Sequence, residues 1–157
     1  PSDPVDIIYL CYPNNPTGGI MEREDLEKVA DLIRDKNIMV ISDEIYAELT
    51  YGGRHVSIAS LPGMRERTIV INGFSKSHAM TGWRLGWVVA PQAYVRQIEK
   101  LAQHFFISPS TPAQHAALAA FTPPAGRRIA AWQGVNKARP ARQGRHGCPV
   151  RQCARPP

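Results

Sequence analysis

The stretch Asn72-Gly-Phe-Ser-Lys-Ser-His-Ala-Met-Thr-Gly-Trp-Arg-Leu-Gly-Trp87 decides how this chain folds. It follows a short run of apolar, branched residues, Thr68-Ile-Val-Ile71, whose pattern predicts a buried strand. It sets one amine, Lys76, among small residues, and one guanidinium, Arg84, between a Gly-Trp and a Leu-Gly. Its glycines and serines read as turn rather than helix. A strand that empties into such a loop delivers its polar groups to the edge where open α/β sheets hold ligands.

The flanking sequence repeats this design. Asp6-Ile-Ile-Tyr-Leu-Cys-Tyr12 predicts a first strand, ending at the turn cluster Pro13-Asn-Asn-Pro-Thr-Gly-Gly19. Met21 to Lys36 predicts a helix, because Leu26, Val29, Ala30 and Ile33 recur on one face. Glu22, Glu24 and Asp25 lie in its first turn, where the dipole favours acids, and Asn37 offers a stop. Ile38-Met-Val-Ile41 predicts a second strand, apolar enough to be buried on both faces, which runs into Ser42-Asp-Glu-Ile-Tyr46. Leu85 to Ala90 predicts a fourth strand, closed by Pro91. Two more helices are expected, over Tyr94 to Phe106 with Val95, Ile98, Leu101, Ala102 and Phe105 on one side, and over Thr111 to Phe121. The order implies an α/β fold: a mostly parallel sheet with flanking helices and a right-handed first crossover. No internal repeat is visible.

Composition narrows the class. The 157 residues allow one domain of ordinary size, and the 43% hydrophobic content is enough for a core. No apolar run approaches the roughly 20 residues of a spanning helix, so no membrane association is expected. Pro-Ser-Asp-Pro at the start shows neither a basic nor an apolar leader region, and with no initial Met it suggests a fragment. The net charge of +6 is unevenly placed: residues 1–121 hold 11 basic and 13 acidic side chains, and residues 122–157 hold 8 basic and none acidic. The tail has no apolar period and holds 6 of the 14 prolines, a disorder-like composition. We expect a body at 1–121 and a basic, Pro/Arg/Ala-rich tail at 122–157 that is not its natural continuation. With Trp132 as its one aromatic, the tail gives no pattern for nucleic-acid binding. His146, Cys148 and Cys153 lack the second pair of a zinc site, and Cys11 sits in an apolar strand. Three cysteines in no disulfide framework suggest a cytoplasmic protein.

If the first three strands are parallel, Asn14 and Asn15, then Asp43 and Tyr46, then Lys76, emerge at one carboxyl edge. Arg84 reaches the same mouth if the fourth strand runs antiparallel. A lysine amine attacks aldehydes once its pKa is lowered, a guanidinium grips phosphate with two parallel hydrogen bonds, and a carboxylate keeps a ring nitrogen protonated. An amide and a phenol can donate to a phenolate oxygen. The ligand carrying all four features is pyridoxal 5'-phosphate.

Ser75-Lys-Ser-His-Ala-Met-Thr-Gly-Trp-Arg-Leu-Gly86 resembles the lysine-attachment motif of class I/II aminotransferases, pyridoxal-phosphate enzymes of fold type I. Asn14-Asn-Pro-Thr-Gly18 and Asp43-Glu-Ile-Tyr46 resemble two further motifs of that family, in the same order. The likeness covers nearly all of residues 5–121 and is to the subgroup acting on aspartate, aromatic amino acids, alanine or diaminopimelate derivatives. It implies part of the large, cofactor-binding domain. Lys76 would form the internal aldimine and move the proton between the substrate Cα and the cofactor C4′. Asp43 would pair with the ring nitrogen, and Tyr46 and Asn15 would hydrogen-bond O3′. Arg84 would bind the phosphate, assisted by Ser75. Many relatives carry a serine three residues before the lysine; here that position is Gly73, so phosphate binding would lean on Arg84.

The resemblance also implies amino acid and 2-oxo acid substrates and a homodimer. The family's glycine-rich phosphate loop, its ring-stacking aromatic and the arginine that grips the substrate carboxylate fall outside these residues. A weakly active or inactive fragment is therefore expected. The alternative is a non-catalytic remnant or a small basic binding module. Residue by residue, Glu44 reads as no more than a first-turn acid, Trp83 and Trp87 as packing, and His55, His78, His104 and His115 carry no role.

Overall fold

The computed structural model describes residues 5–50 and 54–122. Four strands form one sheet in the order β1 (Ile7–Cys11), β2 (Met39–Asp43), β3 (Thr68–Gly73) and β4 (Gly86–Val89). The first three are parallel and β4 is antiparallel to β3. Helix α1 (Arg23–Ile33) is the crossover from β1 to β2. A one-turn helix, α2 (Phe74–Ser77), follows β3 directly, and α3 (Gln92–Phe105) and α4 (Thr111–Ala120) follow β4. The expected mostly parallel α/β sheet is present. The segment read as turn is in part helical, because Lys76 lies within α2.

Alternation along the strands decides what lies beneath them. Ile8 and Leu10 of β1 and Val40 of β2 face α1, which buries Leu26, Ala30 and Ile33 against them. Val29 packs at the margin of this core, so the helical face predicted from spacing is the buried one. Ile58, Leu61 and Met64, from the link between β2 and β3, complete it. A second cluster forms under the lysine loop, where Phe74, Met80 and Leu85 pack on Ala113 and Ala117 of α4.

Two expectations change. The second strand is not buried on both faces: Val40 and Ser42 are buried, whereas Met39, Ile41 and Asp43 are half-buried. Only the α1 side of the sheet is fully covered among the described residues, and on the other side Ile7 and Tyr9 of β1 are each 57% exposed. Helix α3 is amphipathic as predicted, but no residue of it is fully buried. Val95, Ile98 and Ala102 border an open cleft of about 860 Å³, facing Ile71, Trp87 and Val88, while Leu101 and Phe105 point outward.

The end of α1 is closed by a long-range contact. Its last turn carries no basic residue, but the Arg67 guanidinium, at the foot of β3, donates to the carbonyls of Ile33 (2.7 Å) and Lys36 (2.8 Å). One charged group thus satisfies a carbonyl that the helix end leaves open and one in the turn that follows it. Arg67→Ala should destabilise the fold by about 1–2 kcal/mol, read from urea unfolding. Arg67→Lys should recover only part of this, because both bonds leave one terminal guanidinium nitrogen that the shorter lysine side chain places less far out.

Candidate active site

Register fixes the geometry of the site. Cys11 of β1 lies beside Asp43 of β2, and Asp43 beside Ile71 of β3, so three parallel strands end nearly in line. After β1 the chain turns sharply. The Asn14 side-chain oxygen accepts from the Thr17 hydroxyl (2.7 Å) and from its backbone N–H (3.3 Å). The Gly18 N–H, at φ +70°, closes back onto the Asn14 carbonyl (2.8 Å). With Asn14 holding the turn, the Asn15 amide is left to donate to the Tyr46 phenol oxygen at 3.3 Å.

After β2, one Asp43 oxygen accepts from the Ile45 N–H (3.2 Å) and the other from the Tyr9 phenol (2.9 Å). The bond to Asp43, with lesser desolvation, pushes the Tyr9 phenol up to about 12. After β3, α2 sets the Lys76 amine 5.5 Å from the centroid of the Tyr46 ring, within range of cation–π attraction. Asn15, Tyr46 and Lys76, from three separate strand ends, therefore meet. Asp43 stands at the same edge, three residues before Tyr46.

Ser75 and Arg84 form a second group. The Thr81 hydroxyl donates to the Ser75 carbonyl (3.0 Å) and the Arg84 guanidinium donates to the Thr81 carbonyl (2.9 Å). Thr81 thus folds the loop so that its two ends lie together. Arg84 takes a left-handed backbone, φ +51°, as the chain turns into the antiparallel β4. Among the described residues no hydrogen bond joins this pair to Lys76 or Asp43.

The glycine at position 73 has a local cause. A Cβ at Gly73 would lie 3.0 Å from the Gly86 Cα and 3.1 Å from the Leu85 carbonyl oxygen. The close approach of β3 and β4 therefore admits a side chain at that position only if the backbone of β4 gives way. Gly73→Ser should destabilise the sheet rather than supply a working hydroxyl, seen as a lower urea midpoint.

Glu44 is not a first-turn acid. It points to the face opposite Asp43, is 5% exposed, and accepts from the Ser42 hydroxyl (2.9 Å), the Ser57 hydroxyl (2.6 Å) and the His55 ring nitrogen Nε2 (2.9 Å). Burial pushes the Glu44 carboxyl up, but the bonds from His55, Ser57 and Ser42, with the imidazole charge, outweigh it and hold the group below the usual carboxylate range. Tyr9, Thr81, Glu44, His55 and Ser57 were all missed from sequence. Only Tyr9 left a signal, since it alternates with Cys11 onto the face that carries Asp43. His78 shares a 2.8 Å hydrogen bond with the Ser77 hydroxyl and packs edge-on against Phe74. Trp83 and Trp87 line the α3 cleft and stay partly exposed. Trp132, His146, Cys148 and Cys153 lie outside the described residues.

The α/β sheet thus gathers an amine, a phenol, an amide and a carboxylate at one strand edge. Sequence comparison supplies the family. The model of the aminotransferase class I and II family matches residues 1–140, and the chain belongs to that family. It is 45% identical over 119 residues to the aspartate aminotransferase of Geobacillus stearothermophilus, covering 74% of this chain and 30% of that protein. It is 52% identical over 93 residues to the arginine–pyruvate transaminase AruH of Pseudomonas aeruginosa, covering 59% and 24%. The crystal structure of an aromatic aminotransferase from Pyrococcus horikoshii superposes with a TM-score of 0.78 at 40% identity, covering 82% of this chain and 35% of that one. The chain thus spans about a third or less of the length of these relatives. Among the described residues, no helix is long and apolar enough to cross a membrane.

Two pH dependences follow. The folded-state pKa of Glu44 lies below its unfolded value, so its contribution is complete above the ordinary carboxylate range and is lost as pH falls through the folded pKa. Unfolding midpoints should drop in that acid window, and Glu44→Gln should flatten the drop. Tyr9 has the opposite sign: its stabilising effect is present below its ordinary value of 10.0 and is lost as pH rises toward about 12. A phenolate absorbance titration should show a late component, and Tyr9→Phe should remove it.

Proposed function

We propose that this chain is the cofactor-anchoring part of a pyridoxal-phosphate-dependent aminotransferase, which moves an amino group from an amino acid to a 2-oxo acid. The observation that carries this is the meeting of Lys76, Tyr46 and Asn15 at one sheet edge beside Asp43. The donor set fits the cofactor: one amine for its aldehyde, one carboxylate for its ring nitrogen, an amide and a phenol for its ring oxygen, and a guanidinium for its phosphate. The bound cofactor would supply an electron sink for the carbanion at the substrate Cα.

The residues divide the remaining work. Lys76 holds the cofactor and carries a proton to and from the substrate Cα. Asp43 keeps the ring nitrogen protonated, and Tyr9 orients that carboxylate. Tyr46, steadied by Asn15, donates to the ring oxygen. Arg84 grips the phosphate, with Ser75 held beside it through Thr81.

The three relatives named above are an aspartate aminotransferase, an arginine–pyruvate transaminase and an aromatic aminotransferase, and the substrate class common to them is an amino acid. The family's homodimer and a cytoplasmic setting belong to the same proposal. Apolar surface left open at Leu101, Phe105, Phe106 and Ile107 supports burial against further protein, and the cysteine usage supports a reducing compartment.

Adding pyridoxal phosphate to the purified chain should produce a visible absorption band. Borohydride treatment should then leave the added mass on the peptide containing Lys76. Lys76→Ala should abolish both signals. Asp43→Asn should weaken cofactor binding about tenfold or more, consistent with loss of one charge-assisted hydrogen bond. A band that survives Lys76→Ala would overturn the assignment. Turnover by the 157-residue chain should be slight, because it spans so little of the length of its relatives.

A further inference from the structure

We propose that Glu44, with His55 and Ser57, is a positioning anchor that sets Asp43 and Tyr46 for the cofactor; this rests on the function proposed above. The geometry is that of a clip. Glu44 is the first residue past β2, and its backbone N–H still donates to the Ile71 carbonyl (2.9 Å) of the neighbouring strand. Its side chain turns to the α1 face, away from the site. Ser42 binds it from the strand, while His55 and Ser57 bind it from the far end of the excursion that begins at Ile45. Both ends of that excursion, which carries Tyr46, are thus fastened to one buried carboxylate.

The clip is tied to the core. Ser57 Oγ donates to Glu44 and also accepts from the Ala59 N–H (3.3 Å), capping the turn at Ile58–Ser60. Ile58 in that turn is 1% exposed within the α1 core. A shift of His55 or Ser57 therefore moves either the core or the excursion, and the core is close-packed. Motion in Glu44 would pass directly to Asp43, whose carboxylate holds the Ile45 N–H, and then to Tyr46 one residue further on.

Stability alone gives a poor account of the cluster. Desolvating an ionised carboxylate offsets much of what its partners contribute, and well-packed apolar residues often stabilise such a site as well or better. Three donors, one from the strand itself and two from 11 and 13 positions on, do what apolar packing does not: they fix one direction for the backbone at the strand exit. Among the described residues no hydrogen bond joins the His55 imidazole or the two hydroxyls to Lys76 or Tyr46, so they act through the backbone.

The test compares the wild-type chain with Glu44→Gln, His55→Leu, His55→Gln and Ser57→Ala. One readout is cofactor affinity, from the visible band that appears with pyridoxal phosphate. The other needs no cofactor: nuclear Overhauser cross-peaks between the Asn15 side-chain amide and the Tyr46 ring. Glu44→Gln and His55→Leu should erase the cross-peaks and weaken affinity about tenfold or more, whereas His55→Gln, which keeps an N–H donor, should stay near wild type. Unchanged cross-peaks and affinity in Glu44→Gln and His55→Leu, however far the melting temperature falls, would show packing only and overturn the proposal. Lost cross-peaks with wild-type affinity would overturn it too. Should those two variants fail to fold, Ser57→Ala decides by the same criteria, because it removes a single donor. If the wild-type chain gives no band that depends on Lys76, the proposed function falls, and the cross-peaks alone decide the anchor.

Discussion

Parallel pairing of β1, β2 and β3 is the constraint on which everything else rests. Parallel strands in register deliver their carboxyl ends to one edge, so residues far apart in the chain arrive together without any contact among the loops having to be strong. The ladder from Cys11 to Asp43 to Ile71 sets that line. The amide of Asn15, the phenol of Tyr46 and the amine of Lys76 meet because their strands end level. The antiparallel β4 then brings Arg84 back toward Ser75, and the close backbone approach at Gly73 and Gly86 makes the return possible.

The exit of β2 divides two jobs between adjacent acids. Strand geometry sends neighbouring side chains to opposite faces. Asp43 takes the half-buried face, with Tyr9 and the Ile45 N–H on its oxygens. Glu44 takes the buried face, where three donors surround it. A buried carboxylate is tolerated only when so surrounded, which explains why two hydroxyls and an imidazole are spent at this one point. Asp43 stays half-buried at the strand edge, and Glu44 is held in the interior.

Much of the fold was legible because its signals are local. The helical spacing of Leu26, Val29, Ala30 and Ile33 named the buried face of α1, and the apolar runs named all four strands. Lys76, Tyr46 and Asn15 were legible as a set because each follows a strand within a few residues. The coverage of the sheet was less so. Ile41 and Ile7 are as apolar as buried strand residues, and no local pattern says whether a second layer lies over them. The same holds for α3, whose amphipathic face borders a cleft instead of a packed layer.

The chain of residues by itself determined the order of strands and helices, the lysine-bearing loop and the family motifs, since propensity, period and turn chemistry act over a few neighbouring positions. Only the tertiary structure decided which partners those groups meet. Tyr9 finds Asp43 across 34 positions and His55 finds Glu44 across 11. Alternation says that Asp43 and Glu44 face apart, but the donors that wait on each side are brought there by strand pairing and by closure of the intervening chain, and neither leaves a trace in local sequence.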